Sequence, residues 1–242
     1  MNYYEVKSKL SSYISKKAEV DGSVKFGENV VIKDNVKIGK DTIIGNNVII
    51  KADTIVGENC IIEDNSILGD TLTSTSSTNK LPPLILEANI RIGSNVVILR
   101  GTKIGKNVSI DDLSLIKELV VINENSVIGS NVIIDSNVLI GKAVEIGSKT
   151  YVSSGTIIED FCKIGINVHF KKEELLVSNN KKIDENRIIV RKGSKIGSNV
   201  TILPGVTINE NVIVMDGSYV IANLESNKIY SGNPAIEIRN CN

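Results

Sequence analysis

Tryptophan is absent from this chain, and aromatic residues make up only 4% of its 242 positions. A globular core anchored on large rings is therefore excluded; Ile and Val dominate instead, as β-structure prefers. An excess of one charge is absent too, because 28 Lys and Arg balance 28 Asp and Glu. That balance argues against a general nucleic-acid binder and against a binder of anionic membrane surfaces. No run of about 18 apolar residues occurs, so no helical span is expected. The opening MNYYEVKSKL lacks the apolar stretch of a secretory leader. The expectation is a soluble, cytoplasmic protein with no nucleic-acid and no membrane partner. The three cysteines, Cys60, Cys162 and Cys241, are odd in number and lack metal-ligand spacing, which fits a reducing compartment. Histidine occurs once, at His169.

What the chain has is a beat of six. An aliphatic or aromatic residue recurs at Ile14, Val20, Phe26 and every sixth position to Leu68. The beat lapses over 74–85, resumes in the same phase at Leu86 and runs to Ile164. A second lapse over 170–189 breaks the phase, and a last run goes from Val190 to Val220. The three runs hold ten, fourteen and six hexads. Six is not the 3.6 of a helix, but it is a whole number of strand periods, so each position of the hexad always faces the same way. With the recurrent residue as position 1, position 2 is often Gly. Position 4 is mostly Asn, Asp or Gly, the residues that tolerate φ > 0. Position 5 is small or β-branched and should pack inside; Cys60 and Cys162 occupy it as small hydrophobes. Each hexad reads as a short strand plus a turn that cannot bury its apolar side alone. Stacking such units gives an all-β fold, a parallel β-helix with coils about 4.8 Å apart.

This pattern resembles the hexapeptide-repeat proteins over roughly residues 14–235. The resemblance implies a left-handed parallel β-helix of three hexads per coil, hence about ten coils, with two loop excursions at 74–85 and 170–189. Residues 1–13 are a lead-in and 236–242 a tail. Position 6 points outward, and every third hexad should share a face. Counted so, one face carries Ile43, Ile61, Val97, Leu115, Ile133, Tyr151 and His169, and a second carries Val31, Ile49, Ile67, Lys103, Val121, Leu139 and Ile157. The third carries Lys37, Ile55, Thr73, Arg91, Ser109, Val127, Glu145 and Lys163. Two largely apolar stripes and one polar stripe predict an association surface. A homotrimer turning two faces inward satisfies them, and trimers are typical of the family.

The resemblance sharpens toward the C-terminus. Gly193-Ser194-Lys195-Ile196-Gly197, Leu203-Pro204-Gly205-Val206-Thr207-Ile208, Gly217-Ser218-Tyr219-Val220 and Gly232-Asn233-Pro234-Ala235 look like the closing signature of acetyl-CoA-dependent acetyltransferases. A long loop followed by this signature is similar to N-acetyltransferases acting on nucleotide-linked amino sugars. Departures are Asn209 where Gly is usual, Asp216 before Gly217 where Ala is usual, and the bulkier Met215 and Tyr219. The implied activity is transfer of an acetyl group from acetyl-CoA (coenzyme A as co-substrate) to the amino group of such a sugar, in a cleft between subunits. Alternatives are O-acetylation of a sugar or small metabolite, and a non-catalytic scaffold. A zinc carbonic anhydrase on the same helix would need three histidine ligands per metal, and one His per chain cannot supply them.

His169, at the mouth of the longer loop, is the candidate general base, since imidazole suits that role near neutral pH. Glu173, Glu174, Glu118 and Asp112 compete for it, as does a substrate-assisted route. By resemblance, the coenzyme A contacts are Gly193, Ser194, Gly205, Gly217 and Ser218, with Lys228 or Arg239 as phosphate partners. Turn geometry alone also accounts for the glycines, which stand twelve residues apart.

Overall fold

A computed structural model of the protein describes residues 12–71, 81–171 and 186–241. Glu173 and Glu174 lie outside them. The described residues form a left-handed parallel β-helix. Most strands are two residues long, the sixth position of one hexad and the first of the next, as in Ile49–Ile50 and Tyr151–Val152. They stack into three sheets of 11, 10 and 12 strands, parallel except that the last strand, Ile236–Asn240, runs antiparallel to Lys228–Ser231, and these sheets are the three faces of a prism.

The hexad rule holds position by position. First-position residues such as Ile32, Ile50, Ile134 and Ile202 are fully buried, and so are fifth-position residues such as Val30, Val48, Cys60 and Cys162. Each fully buried Val or Ile contributes about 1.5–3 kcal/mol. Fourth-position residues turn the corners in the left-handed region, from Asn29 (φ 55°) to Gly217 (φ 70°). Leu113 and Leu119 do so as well, at 62° and 60°. Corner asparagines also bond from coil to coil, as in Asn29 to Asn47 (3.2 Å) and Asn47 to Asn65 (3.1 Å). Where position 5 carries a hydroxyl, it knits adjacent coils from inside. Ser114 Oγ donates to the Gly129 carbonyl (3.0 Å) and accepts from the Val132 N–H (3.1 Å).

Position 2 is often Gly for a reason of space rather than φ. A Cβ on Gly147 would lie 2.6 Å from the carbonyl carbon and oxygen of Gly165 in the next coil. Backbone there cannot yield without breaking the ladder. Gly147→Ala is expected to cost about 1–3 kcal/mol, the usual penalty of overpacking, read as a lower denaturation midpoint. Gly22→Ala is the control: its Cβ meets nothing within 4 Å, so the midpoint should stay within error.

The face assignment made from hexad counting needs correction. Ile67 pairs directly with Val97, and Ile157 with Ile189. The first excursion therefore inserts twelve extra residues. Two whole hexads preserve the beat of six but shift the beat of eighteen, so every residue beyond it moves to a different face. Face 1 carries Tyr13, Val31, Ile49, Ile67, Val97, Leu115, Ile133, Tyr151, His169, Thr201 and Tyr219. Ile43 and Ile61 belong instead to face 3, with Arg91, Glu145, Lys163 and Lys195. Face 2 is charged at Glu19, Lys37 and Lys103, then apolar through Val121, Leu139, Ile157 and Ile189. Face 1 is thus apolar without a break from Val31 to Ile133, and then carries Tyr151, His169 and Thr201.

The excursions are also shorter than the lapses in the beat. Ile85 pairs with Ile55, Phe170 is the largest fully buried side chain, and Ile189 pairs with Ile157. Both excursions leave the same corner, between face 1 and face 2. Arg100, 7% exposed, ties the end of the first to an earlier coil: Nε donates to the Leu81 carbonyl (3.5 Å), Nη1 to the Ala52 carbonyl (2.7 Å), and Nη2 lies 3.3 Å from Asp53.

Candidate functional site

His169 stands at an outward position of face 1, and two residues later the chain leaves for the second excursion. In the parallel register it pairs with Tyr151 below and Thr201 above, and Tyr219 follows on the next rung. Its imidazole stacks on the Tyr151 ring, with centroids 5.2 Å apart and planes 23° from parallel. Partial burial, and then the nearby Lys171 ammonium, push its pKa below the ordinary histidine value. The ring is therefore neutral around pH 7, with a nitrogen lone pair available to accept a proton.

Beneath the stack lies a polar cluster that the sequence did not single out. The Tyr151 hydroxyl donates to Asp135 Oδ2 (3.0 Å). The other Asp135 oxygen receives the Lys117 ammonium (2.9 Å) and the Ser136 N–H (3.0 Å). Asp135 is 5% exposed. Burial alone would push its carboxyl up; the donors from Lys117, Ser136 and Tyr151 outweigh burial and hold it below the usual carboxylate range. Burial, and then the Asp135 hydrogen bond, push the Tyr151 phenol up to about 12. Asp135 and Lys117 occupy position 2, where Gly or a polar residue is ordinary. A spacing of eighteen between them was the one signal available, and it is hidden in a beat of six.

The competing carboxylates are committed elsewhere. Glu118 is buried and accepts from the Ser136 hydroxyl (3.1 Å). Asp112 accepts from the Ser94 N–H (2.7 Å) and so closes a corner.

The residues assigned to coenzyme A by resemblance do not come together in one chain. Gly193, Gly205 and Gly217 all have positive φ, between 70° and 78°. Twelve residues is two-thirds of a coil, however, so they fall on three different corners: face 2 to 3, face 1 to 2, and face 3 to 1. No groove on one prism touches all three. Ser194 and Ser218 are buried. Ser194 Oγ is one of the inner hydroxyls, donating to the Asn209 carbonyl (2.7 Å), and Ser218 Oγ donates to the Met215 carbonyl (2.7 Å). Their side chains belong to the core; contact with a ligand is left to their backbone. Lys228 is clamped by Glu225 (2.6 Å) and Glu237 (2.8 Å), which raise its pKa. A cation already shared by two carboxylates is a poor phosphate partner. Arg239 is exposed in the strand Ile236–Asn240 and makes no ion pair among the described residues. Arg239 and the backbone at Gly205 and Gly217 are what one chain offers.

Open grooves of about 550, 380 and 210 Å³ lie along faces 2 and 3, and His169 lines none of them. The imidazole itself stands outward on face 1, beside the apolar run that ends at Ile133.

Comparison with known proteins places the repeats in a family. The model described as bacterial transferase hexapeptide (six repeats) matches residues 35–70. The model described as hexapeptide repeat of succinyl-transferase matches 83–111 and 187–222. Among solved structures, the chain aligns with AntD, an N-acyltransferase from Bacillus cereus determined with dTDP and coenzyme A. The identity is 23% over 62% of this chain and 82% of that one, with a TM-score of 0.42. It aligns with the UDP-N-acetylglucosamine O-acyltransferase of Moraxella catarrhalis at 18% identity, over 94% of this chain and 74% of that one, TM-score 0.37. It also aligns with perosamine N-acetyltransferase from Caulobacter crescentus, determined with CoA and GDP-perosamine. There the identity is 16%, over 95% of this chain and 57% of that one, with a TM-score of 0.22.

Proposed function

Since this chain belongs to the hexapeptide-repeat family, we propose that it is an acyl-CoA-dependent acyltransferase. In this reading the donor is acetyl-CoA, and the acceptor is the amino group of a nucleotide-linked amino sugar. The reaction takes place in a cleft between subunits of a homotrimer. The observation that carries the reading is the placement of His169. The chain's one histidine is outward, beside the apolar run of face 1, at the root of the longer excursion.

The chemistry follows from that placement. The acceptor nitrogen attacks the thioester carbonyl, a C–N bond forms, and the carbonyl oxygen becomes an oxyanion that a backbone N–H can stabilise. His169 takes the proton that the nitrogen must lose. The C–S bond then breaks, and the imidazolium returns the proton to the departing thiolate. The products are an amide and free coenzyme A. Tyr151, its pKa pushed up to about 12, cannot compete as the base near neutral pH. The apolar run of face 1 from Val31 to Ile133, which leads up to His169, supports a site between chains.

The test is thiol release from acetyl-CoA with a panel of nucleotide-linked amino sugars, simple amines and hydroxyl acceptors. Turnover with an amino sugar and not with its hydroxyl analogue is expected. No turnover with any acceptor, together with no binding of coenzyme A, would leave a scaffold.

A further inference from the structure

We propose that Tyr151 is a positioning residue for His169: anchored through its hydroxyl by the buried Asp135–Lys117 pair, its ring holds the imidazole in one stacked orientation. The inference rests on His169 being the base and adds the device that aims it.

The argument starts from register. Tyr151 and His169 are direct partners in a parallel ladder, both outward, on strands about 4.8 Å apart. That spacing suits offset stacking, and the rings stand at 5.2 Å and 23°. Such a contact is enough to favour one imidazole rotamer but not to fix a tyrosine that could itself swing. The anchor removes that freedom. Asp135 accepts from Lys117 Nζ at 2.9 Å and the Ser136 N–H at 3.0 Å on one oxygen, and from the Tyr151 hydroxyl at 3.0 Å on the other. An ionised carboxylate only accepts, so the phenol must donate and its direction is set. Asp135 is buried at the corner, so the anchor is part of the solenoid wall rather than of its mobile surface. A lone exposed histidine at the root of a long excursion would otherwise sample several rotamers, and orientation is worth orders of magnitude in rate.

A single histidine makes this directly readable, because labelled imidazole gives one set of resonances per protomer. The groups around it are the Tyr151 ring, Thr201 on the rung above and Lys171 at the corner. In the intact protein the imidazole signals are expected upfield, from the ring current, with a titration midpoint below that of free histidine. Tyr151→Leu keeps an apolar outward residue but removes the ring. It should abolish the upfield shift, move the midpoint up, and lower kcat about ten- to hundred-fold with little change in KM. Tyr151→Phe keeps the stack, so it should retain the shift and recover most of the kcat. In a His169→Ala background, Tyr151→Leu should have no further effect on kcat. The proposal is overturned if Tyr151→Leu leaves the imidazole shift and midpoint unchanged, or if it lowers kcat by the same factor with and without His169. Failure of the underlying reading looks different. The imidazole would respond to Tyr151→Leu while His169→Ala turned over at the wild-type rate, and the stack would then have no catalytic role.

Discussion

Replacing His169 with Ala is expected to lower turnover by about 10²–10⁴-fold, the contribution of a positioned general base. The fold should not notice. The side chain is outward, no hydrogen bond in the core depends on it, and the ladder bond from its N–H to the Val200 carbonyl (2.9 Å) belongs to the backbone. Binding of coenzyme A should be preserved, which separates lost chemistry from lost structure. The pH profile gives a second handle. A base works deprotonated, so kcat/KM should fall on the acid side as His169 takes up a proton. Partial burial and Lys171 both lower that pKa, so the fall should come at more acidic pH than for an unperturbed histidine. Lys171→Ala removes one of the two causes and should move the acid limb to higher pH. Near-wild-type turnover of His169→Ala would sink the assignment and favour a substrate-assisted route. A limb that ignores Lys171→Ala would mean that another group titrates.

The fold was legible because each third of a coil writes the same instructions. Inward positions read as Ile and Val, corners as Asn, Asp or Gly, and the excursions as breaks in the beat. Residues that violate the composition still obey the geometry. Leu113 and Leu119 take the left-handed corner conformation although neither favours it, because the ladder on either side dictates φ. What the beat could not carry was the number of extra residues modulo eighteen. Twelve inserted residues are invisible to a period of six and decisive for a period of eighteen. That is why Ile43 and Val97 were grouped on one face and belong to two.

The candidate site was legible only in its most conspicuous member. A lone histidine beside a long break is a sequence-level signal. Asp135 and Lys117 are not, because an acid and a base at position 2 look like any solvated corner until the register stacks them under Tyr151. The closing signature misled in another way. Ser194 and Ser218 stand beside corner glycines, but they occupy position 5 and spend their hydroxyls on the interior. The same hexad rule that predicted Val30 and Cys60 inside applies to them, and following it would have removed both side chains from a cofactor surface.

Charging face 1 is expected to have an effect as large as removing the base. The substitution Val97→Lys with Leu115→Lys puts two ammonium groups on the apolar run of face 1, four and three rungs from His169. At about 4.8 Å per rung, Leu115 is roughly 14 Å from His169, too far to touch the imidazole. If face 1 packs against neighbouring subunits, each protomer must bury two unpaired cations, at several kcal/mol each. Threefold symmetry also brings like charges together. The assembly should fall from three times the 26.2 kDa protomer to one, measured by sedimentation. The released chain should stay folded, because its core lies inside the prism. Residues such as Val96, Ile98, Ile116 and Ile134 are fully buried without any partner, and stacked repeats draw stability from adjacent coils. Circular dichroism should therefore be preserved while thiol release drops at least 10²-fold, since the proposed cleft is completed by a neighbouring subunit. Lys replacements at Lys163 and Lys195 are already native on face 3, so a further charge there, Val127→Lys, is the matched control and should leave mass and activity unchanged. A wild-type protein that is a folded monomer in dilute solution, or a doubly charged variant that stays associated and active, would move the interface off face 1 and take the site between subunits with it.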